Sequence, residues 1–274
     1  MIKLFVSNLD GTLLNEMHMT DSFILETIQL VKENGYLFST ATGRSLHEHE
    51  VNRLQLNNCF RISMNGALIK NPEGEVLYSQ PIDSKCIEEF LELFYGIDCD
   101  YSSDDFTLST ISMEEKIELF KKDGFKEIAG SPLRIRDFLK DYKFNQNKED
   151  IKNKNIYKIN CTITDQTIQE QFRSFIDKHK DLIVNAPAEE NHFELTSKQV
   201  NKGHAVSVLL KHLKLDKEEV MVFGDGGNDL EMLSMYPYSC AMANGSIMAQ
   251  VKASRIIGYN KDYAVCKEML KYIE

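Results

Sequence analysis

The sequence predicts an α/β fold: an open, mostly parallel β-sheet flanked by helices and interrupted by an α+β insert. Three observations lead to this fold class. Short apolar runs alternate with helical segments over residues 1–81, the same alternation resumes at Lys202, and a less regular region separates the two. Because strands joined by helices form right-handed parallel crossovers, we expect ligand sites at the carboxyl ends of the strands.

Helices separate the strands predicted in the first part of the chain. The helix after the first strand can be capped by Thr20 or Asp21, and Gly35 supplies a stop. Polar or glycine-containing loops follow each strand, which is typical of buried strands that end at a functional edge. The predicted strands cover residues 2–7, 36–40 and 61–64, followed by a hairpin over residues 67–80.

The pattern changes after Pro81 and indicates an α+β insert over residues 82–188. The polar stretch at residues 143–155 is interpreted as a solvated loop on this insert. From Lys202 onward the chain predicts a helix, a strand at residues 220–223, a loop at residues 224–228 and a further helix. Inside the insert, helices are predicted near residues 85–94, 112–122 and 164–179, and strands at 106–110, 156–163 and 182–185.

Composition excludes several classes of protein. The chain has 274 residues, 42% hydrophobic and 27% charged, which is ordinary for a folded globular protein of one large or two moderate domains. A formal charge of −10 without a basic stripe argues against nucleic-acid binding. The six cysteines are dispersed, and there is no signal peptide or long apolar run, so we expect reduced thiols, a cytoplasmic location and no membrane span. The histidines show no metal-ligand spacing and are expected at the surface.

The loop after the first strand is the first candidate site. Asn8 and Asp10 are separated by one apolar residue, so both are expected to face the same side at the strand exit. Gly11 permits the tight turn that follows. Taken alone, the segment could equally be a turn without chemistry.

A second candidate is the glycine-rich loop that follows the strand at residues 220–223. Asp225 and Asp229 provide carboxylates and Asn228 an amide, and such oxygen ligands suit a Mg²⁺ ion that bridges to phosphate. The Thr42-Gly43-Arg44 segment offers a hydroxyl and backbone N–H groups at a predicted helix N-terminus. Lys202 begins a helix, where its charge opposes the helix dipole unless an anion lies nearby.

These segments resemble, in order and spacing, the haloacid dehalogenase-like hydrolases, and more closely their Cof-type (subclass IIB) sugar phosphatases. The resemblance covers the whole chain and implies a Rossmann-like parallel-sheet core of residues 1–81 and 189–274. An α+β cap of the C2 type, residues 82–188, would set substrate choice. The matching segments are NLDGTLL against the family's DxDGTLL, ATGR, MNGA, NKG and GDGGNDLEML.

The resemblance implies a two-step phosphoryl transfer. An aspartate at the position of Asn8 attacks phosphorus, and water then hydrolyses the aspartyl-phosphate. Asp10 would act as general acid and then as general base, while Thr42 and Lys202 hold the phosphoryl oxygens.

The resemblance also implies a Mg²⁺ cofactor. Its ligands would be the side chain of residue 8, the Asp10 carbonyl and Asp225, with Asp229 in support. Other loop residues would bind phosphate or the leaving group. The residues in this set are Thr42, Gly43, Arg44, Asn65, Gly66, Lys202 and Asn228.

Asn8 departs from the family pattern, which has the nucleophilic aspartate at this position. An amide cannot form an acyl-phosphate by direct attack, so the chain as given is expected to be nearly inactive. Three explanations fit: an Asp-to-Asn replacement made to trap a ligand, a natural pseudophosphatase, or a sequence error. The intact Asp10, Thr42 and Lys202 argue against decay of an unused site.

The leading functional hypothesis is a phosphatase for a small phosphorylated metabolite, most simply a sugar phosphate, with pyridoxal phosphate or FMN as alternatives. A phosphomutase of the same superfamily and a non-catalytic phosphometabolite-binding protein stay open. The sequence makes no prediction of the oligomeric state.

Overall fold

The computed structural model describes residues 1–122, 132–185 and 191–273. The chain forms two compact units, which we call the core unit and the inserted unit. The core unit comprises Met1–Leu46, Val51–Ser79 and Val200–Glu274, and the inserted unit comprises His47–Glu50 and Gln80–Gln199.

The strands are β1 (Leu4–Ser7), β2 (Leu37–Ala41), β3 (Phe60–Ser63), β4 (Leu68–Lys70), β5 (Val76–Ser79), β6 (Asp100–Ser102), β7 (Thr107–Ser109), β8 (Tyr142–Lys143), β9 (Lys158–Thr162), β10 (Ile183–Asn185), β11 (His192–Ser197), β12 (Val220–Gly224), β13 (Tyr238–Ala241) and β14 (Arg255–Ile256). The helices are α1 (Ser22–Glu33), α2 (Glu48–Arg53), α3 (Ser84–Phe94), α4 (Met113–Lys122), α5 (Pro132–Phe138), α6 (Lys148–Lys152), α7 (Gln166–Lys178), α8 (Lys202–Leu213), α9 (Leu230–Met235), α10 (Ile247–Lys252) and α11 (Ala264–Leu270).

The core unit is built on a mainly parallel sheet with the strand order β14-β13-β12-β1-β2-β3-β4-β5. All pairings from β14 to β3 are parallel, and the hairpin of β4 and β5 adds antiparallel strands at one edge. Ser7, the last residue of β1, lies opposite Phe223 of β12 and Thr40 of β2. The loops after these three strands therefore leave the sheet at the same edge, as the α/β pattern predicted.

Alternation along β1 distributes its side chains between the two faces of the sheet. Leu4 and Val6 pack into a core with Val206 and Leu209 of α8, whereas Phe5 packs into a separate core with Ile28 of α1. Leu4, Phe5 and Val6 are fully buried. This period-two pattern, apolar on both faces, explains why the short run forms a central strand.

Helix α1 begins where the sequence predicted a cap. Asp21 is the cap of the two proposed, because its side chain accepts the Ile24 N–H at 3.1 Å. Thr20 instead donates its hydroxyl to the carbonyl of Leu54 at 2.9 Å. Gly35 follows the helix with φ +85°, the left-handed conformation of a helix stop.

The inserted unit contains a second sheet, with the strand order β10-β11-β9-β6-β7-β8. Its pairings are antiparallel except that of β7 with β8. Phe90 of α3 contacts Phe172 and Phe175 of α7 edge to face, with ring centroids 5.3 and 5.4 Å apart. The mixed helices and antiparallel strands confirm the α+β character predicted for the insert.

The stretch at residues 143–155 lies on the insert and is mostly exposed, as predicted, but the prediction that it is a loop was wrong. Helix α6 lies inside this stretch, and Asn147 and Asp150 form a capping box at its start. The one apolar residue of α6, Ile151, is fully buried with the aromatic core of the inserted unit. A single apolar anchor among lysines and asparagines is too weak a periodic signal to show a five-residue helix.

The change from inserted to core unit comes between Gln199 and Val200, later in the chain than the boundary expected at residues 188 and 189. The physical reason is β11, which pairs antiparallel with β9 and β10 and so belongs to the inserted sheet.

His47 also differs from the expectation that the histidines lie at the surface. It is buried, and its Nε2 lies 3.1 Å from the carbonyl oxygen of Ser103.

The six cysteines are free and buried, as expected for reduced thiols. Burial raises the pKa of Cys59 to about 11 and that of Cys266 to about 12. Within residues 1–122, 132–185 and 191–273, every helix is too short or too polar to cross a bilayer.

Candidate active site

The side chain of Asn8 lies at the carboxyl end of β1, surrounded by polar groups. Its Nδ2 donates to the carbonyl oxygen of Asp10 at 3.0 Å and to Oδ1 of Asp225 at 2.9 Å, and lies 3.3 Å from Oδ2 of Asp229. Its Oδ1 accepts from Nζ of Lys202 at 3.1 Å. Donors meet acceptors at every contact, so the surroundings fix which way the amide points.

A tight turn places Asn8 and Asp10 together. The Asn8 N–H continues the sheet by donating to the carbonyl of Phe223 at 2.9 Å, and Gly11 then reverses the chain with φ +67°. A Cβ at Gly11 would lie only 2.3 Å from Oδ2 of Asp225. Glycine is therefore required both for the backbone conformation and for the close approach of the two loops.

The acidic loop is organised around Asp229, whose side chain is fully buried. Its Oδ2 accepts the N–H groups of Asp225 and Gly226, both at 2.9 Å, and its Oδ1 accepts from Lys202 at 2.7 Å. Asp229 thus holds the loop and the lysine in place. The role of a metal ligand, which the resemblance implied, would have to share oxygens that are already engaged.

Asp225 faces the first loop. Its Oδ1 accepts from Thr12 Oγ1 at 2.5 Å as well as from Asn8. Burial raises the pKa of Asp225, and the negative charge of Asp229 acts in the same direction, although the hydrogen bonds from Thr12 and Asn8 oppose it. Two carboxylates held close together favour the approach of a positive group.

Lys202 is the first residue of α8, and its side chain is fully buried. The helix is capped separately by Asn201, whose side chain accepts the His204 N–H at 2.7 Å. The lysine charge is compensated by Asp229 at 2.7 Å. The anion expected from the sequence near this helix start is therefore a side chain of the protein itself.

The carboxylate of Asp10 points to a different set of partners. Arg44 binds both of its oxygens, with Nε 2.7 Å from Oδ2 and Nη2 bonded to Oδ1, and His18 Nδ1 lies 2.8 Å from Oδ1. Burial acts to raise the pKa of Asp10, but the hydrogen bonds and charges of Arg44 and His18 outweigh it and lower the pKa below its ordinary value. Asp10 is thus held as a carboxylate.

The loop after β2 differs from the expected helix N-terminus. The helix that follows, α2, begins only at Glu48, so Thr42-Gly43-Arg44 forms a turn at the end of the strand. The Thr42 hydroxyl accepts the Arg44 N–H at 3.1 Å, and the Thr42 carbonyl accepts the Asn65 N–H at 2.9 Å. Backbone geometry of the loop, rather than a helix dipole, would therefore present these groups to an anion.

Asn65, Gly66 and Asn228 join the loops after β3 and β12. Asn228 Nδ2 donates to Asn65 Oδ1 at 2.9 Å, and Asn65 has φ +59°. Gly66 has φ +106°, and a Cβ there would lie 2.6 Å from the carbonyl oxygen of Asn201. Glycine is therefore required at position 66 because the start of α8 packs closely against this loop.

Three residues at the site were missed by the reasoning from sequence. Thr12 contacts Asp225, His18 contacts Asp10, and Asn244 donates to the carbonyl of Gly11 at 2.7 Å. Thr12 stands in the first loop and could have been proposed from its position. His18 and Asn244 carry no local signal, because each reaches the loop from a turn elsewhere in the chain.

The donor set around Asn8 does not match the ligands that Mg²⁺ requires. Two carboxylates and the Asp10 carbonyl converge on one point, but Asn8 directs N–H groups to that point and its oxygen to Lys202. In the described part of the chain, no cluster of three or more acidic, histidine or cysteine side chains has metal-binding geometry. With asparagine at position 8, the residues as arranged do not fit the ion.

Comparison with known proteins agrees with this arrangement of loops on a parallel sheet. A family model described as haloacid dehalogenase-like hydrolase matches residues 5–269. A Haemophilus influenzae protein named "Putative phosphatase" is 26% identical over 272 residues, covering 96% of this chain and 93% of that protein. An HMP-PP phosphatase of Enterobacter sp. strain 638 is 26% identical over 294 residues, covering 100% and 97%.

A solved structure has the same fold: a sugar phosphatase of haloacid dehalogenase subclass IIB aligns with a TM-score of 0.74 at 22% identity, covering 98% of both chains. The family match spans both loops that converge on Asn8 and the helix that supplies Lys202. The chain belongs to the haloacid dehalogenase-like hydrolases, in their Cof-type group.

Proposed function

We propose that the chain has the scaffold of a phosphatase for small phosphorylated metabolites, with sugar phosphates as the leading substrate class. One observation carries the proposal: the side chain of residue 8 lies at the carboxyl end of β1 with one oxygen 3.1 Å from the buried Nζ of Lys202. A carboxylate at that position would be oriented by a fixed cation beside the point where phosphate binds. The relatives named as phosphatases support the same class.

The proposed chemistry requires aspartate at position 8. Its carboxylate oxygen forms a bond to phosphorus while the ester P–O bond breaks. The departing alkoxide takes a proton from Asp10, which must first leave its ion pair with Arg44 and take up that proton from solvent, because in this structure Asp10 is a carboxylate. Water then attacks the aspartyl-phosphate, Asp10 accepts the proton of the water, and the carboxylate is regenerated with release of phosphate. Lys202 and Thr42 would bind the phosphoryl oxygens throughout.

With asparagine at position 8, the chain as given is expected to behave differently from the aspartate form. The amide is a poor nucleophile, and its hydrogen bonds occupy both ends of the group, so we expect ligand binding without turnover. The same contacts favour a second candidate function, a phosphometabolite-binding pseudophosphatase in which Asn8 is the native residue.

We propose that the form of the chain with aspartate at position 8 requires Mg²⁺ for turnover. It also includes a cytoplasmic location, which the six free cysteines support. The proposed ligand is a small phosphorylated metabolite, because Lys202 and Thr42 are proposed to hold a single phosphoryl group.

The test is to replace Asn8 by Asp and to measure phosphate release from a panel of phosphate esters in the presence of Mg²⁺. The panel should include sugar phosphates, pyridoxal phosphate and FMN, with the Asn8 chain as the matched control. We expect release by the aspartate form to exceed the control by at least about 10³-fold on one or more esters. An aspartate form that hydrolyses no ester would overturn the enzyme proposal.

The assay also separates the alternatives. Conversion of one sugar phosphate into another without free phosphate would indicate a phosphomutase. Native mass spectrometry of the Asn8 chain, before and after removal of small molecules, would show whether it retains a phosphorylated metabolite without converting it.

A further inference from the structure

The amide nitrogen of Asn8 occupies the point on which the negative groups of the site converge. Nδ2 carries two hydrogens, and its neighbours are the Asp10 carbonyl at 3.0 Å, Asp225 Oδ1 at 2.9 Å and Asp229 Oδ2 at 3.3 Å. All three neighbours are acceptors. A positively polarised group is therefore placed at the centre of an acceptor set that includes two carboxylates.

An aspartate at the same position would reverse this balance. Its second oxygen would stand about where Nδ2 is, against Oδ1 of Asp225 and the carbonyl of Asp10. Like charges at such distances in a buried site repel strongly. Lys202 could not compensate them, because its Nζ lies on the other oxygen of residue 8 and on Asp229.

The opposite orientation of the Asn8 amide is excluded by the same contacts. Turning the group would bring Nδ2 to the Nζ of Lys202, where two donors face each other, and would bring Oδ1 to the carboxylate of Asp225. Both new contacts are unfavourable. Asn8 therefore cannot offer its oxygen to a cation at the acceptor set while Lys202 keeps its place.

We infer that the amide of Asn8 takes the place of the divalent cation, so that this chain closes its phosphate site without metal and binds Mg²⁺ only weakly. Replacement of Asn8 by Asp would create a metal requirement for the stability of the loops as well as for turnover. This inference rests on the proposed function, because the site and the expected ion are those of the phosphatase proposal.

The experiment compares three full-length proteins stripped of metal with a chelator: the Asn8 chain, Asn8→Asp and Asn58→Asp. The last variant makes the same charge change at an exposed position of the core unit. Each protein is titrated with MgCl₂ at constant ionic strength by calorimetry, and its thermal unfolding is followed with and without the ion. Neither measurement needs enzymatic activity.

We expect Asn8→Asp to unfold at a lower temperature than the other two in the absence of metal and to recover on addition of Mg²⁺. Its affinity for Mg²⁺ should exceed that of the Asn8 chain by about tenfold or more, because an ionised ligand replaces a neutral one. The Asn8 chain and Asn58→Asp should show no Mg²⁺-dependent shift in unfolding temperature.

A second variant keeps the inference testable if Asn8→Asp does not fold. Asn8→Ala removes the donor without adding charge, so it should be less stable than the Asn8 chain and should gain stability from Mg²⁺. An Asn8→Ala protein that is as stable as the Asn8 chain and indifferent to Mg²⁺ would overturn the inference.

The outcomes also distinguish the inference from the proposed function. Equal Mg²⁺ affinity of the Asn8 chain and the Asn8→Asp variant would overturn the inference and leave the phosphatase proposal standing. An Asn8→Asp variant that binds Mg²⁺ and hydrolyses no ester would overturn the phosphatase proposal alone. Absence of Mg²⁺ binding in both proteins would contradict both.

Discussion

Lys202 and Asp229 form an ion pair 2.7 Å long in which both side chains are fully buried. The pair joins the start of α8 to the loop after β12, and Lys202 also holds the oxygen of Asn8. The proposed phosphate site is thus built around a lysine whose charge Asp229 compensates.

Breaking this pair should be costly. Replacement of Lys202 by Met leaves the buried carboxylate of Asp229 without its cation, and we expect the core unit to lose about 3–5 kcal/mol of unfolding free energy. Urea unfolding would measure the loss. Lys211→Met on the same helix is the control, because Lys211 is exposed. Equal effects of the two substitutions would show that the buried pair is not structurally important.

The close approach of the two site loops can be tested at Gly11. Gly11→Ala would bring a Cβ to 2.3 Å from Asp225 Oδ2 in addition to the positive φ. Gly35 also has positive φ, but a Cβ there meets nothing within 4 Å, so Gly35→Ala measures the conformational term of about 1–2 kcal/mol alone. We expect Gly11→Ala to destabilise the protein by more than this. Equal losses would mean that the loops separate easily.

These two contacts show how far the sequence could predict the site. Asn8, Asp10, Asp225 and Lys202 stand next to strand ends or at a helix start, and parallel strands bring such positions together whatever the details of packing. The hydrogen bonds among them depend on side-chain orientation. That orientation decides that Asn8 presents nitrogen to the acidic loop, which no spacing in the sequence indicates.

His18 shows the limit of the same reasoning. It lies in a turn with φ +54° and reaches back to Asp10, so its contact depends on the path of a loop and not on the period of a helix or strand.

Strand β11 was missed for a related reason. β11 is a strand because it pairs with β9 and β10, and this pairing has no local signal in the sequence. The α/β pattern that begins directly after it belongs to the core unit.

His18 is expected to act as a positioning residue for Asp10. In the Asn8→Asp form, His18→Ala should lower kcat by roughly tenfold with little change in KM, because it orients the proposed acid without contacting phosphate. His18→Gln should recover part of the rate if hydrogen bonding is what matters. Steady-state kinetics with Met17→Ala as an exposed neighbouring control would measure this. A change in KM alone would place His18 in substrate binding instead.

The buried thiols predict a loss of stability at alkaline pH. The pKa of Cys59 is raised by burial from 9.0 to about 11, so the unfolded chain loses this proton first as the pH rises. The shifted pKa of Cys59 stabilises the folded chain fully below pH 9. This stabilisation, about 1.4 kcal/mol per pKa unit, is lost as the pH rises from 9 to about 11. Unfolding free energies measured from pH 8 to about 11 should fall less steeply for Cys59→Ala. Parallel curves would show that this thiol does not contribute.

Residue 8 is proposed as the position of a phosphoryl-accepting nucleophile. The decisive experiment mixes Asn8→Asp with its best phosphate ester and Mg²⁺, quenches the reaction in acid and maps phosphorylated peptides by mass spectrometry. We expect one added phosphoryl group on residue 8 of this form and none on the Asn8 chain. Turnover without a phosphorylated residue 8, or with the phosphoryl group on another side chain, would rule out residue 8 as the nucleophile.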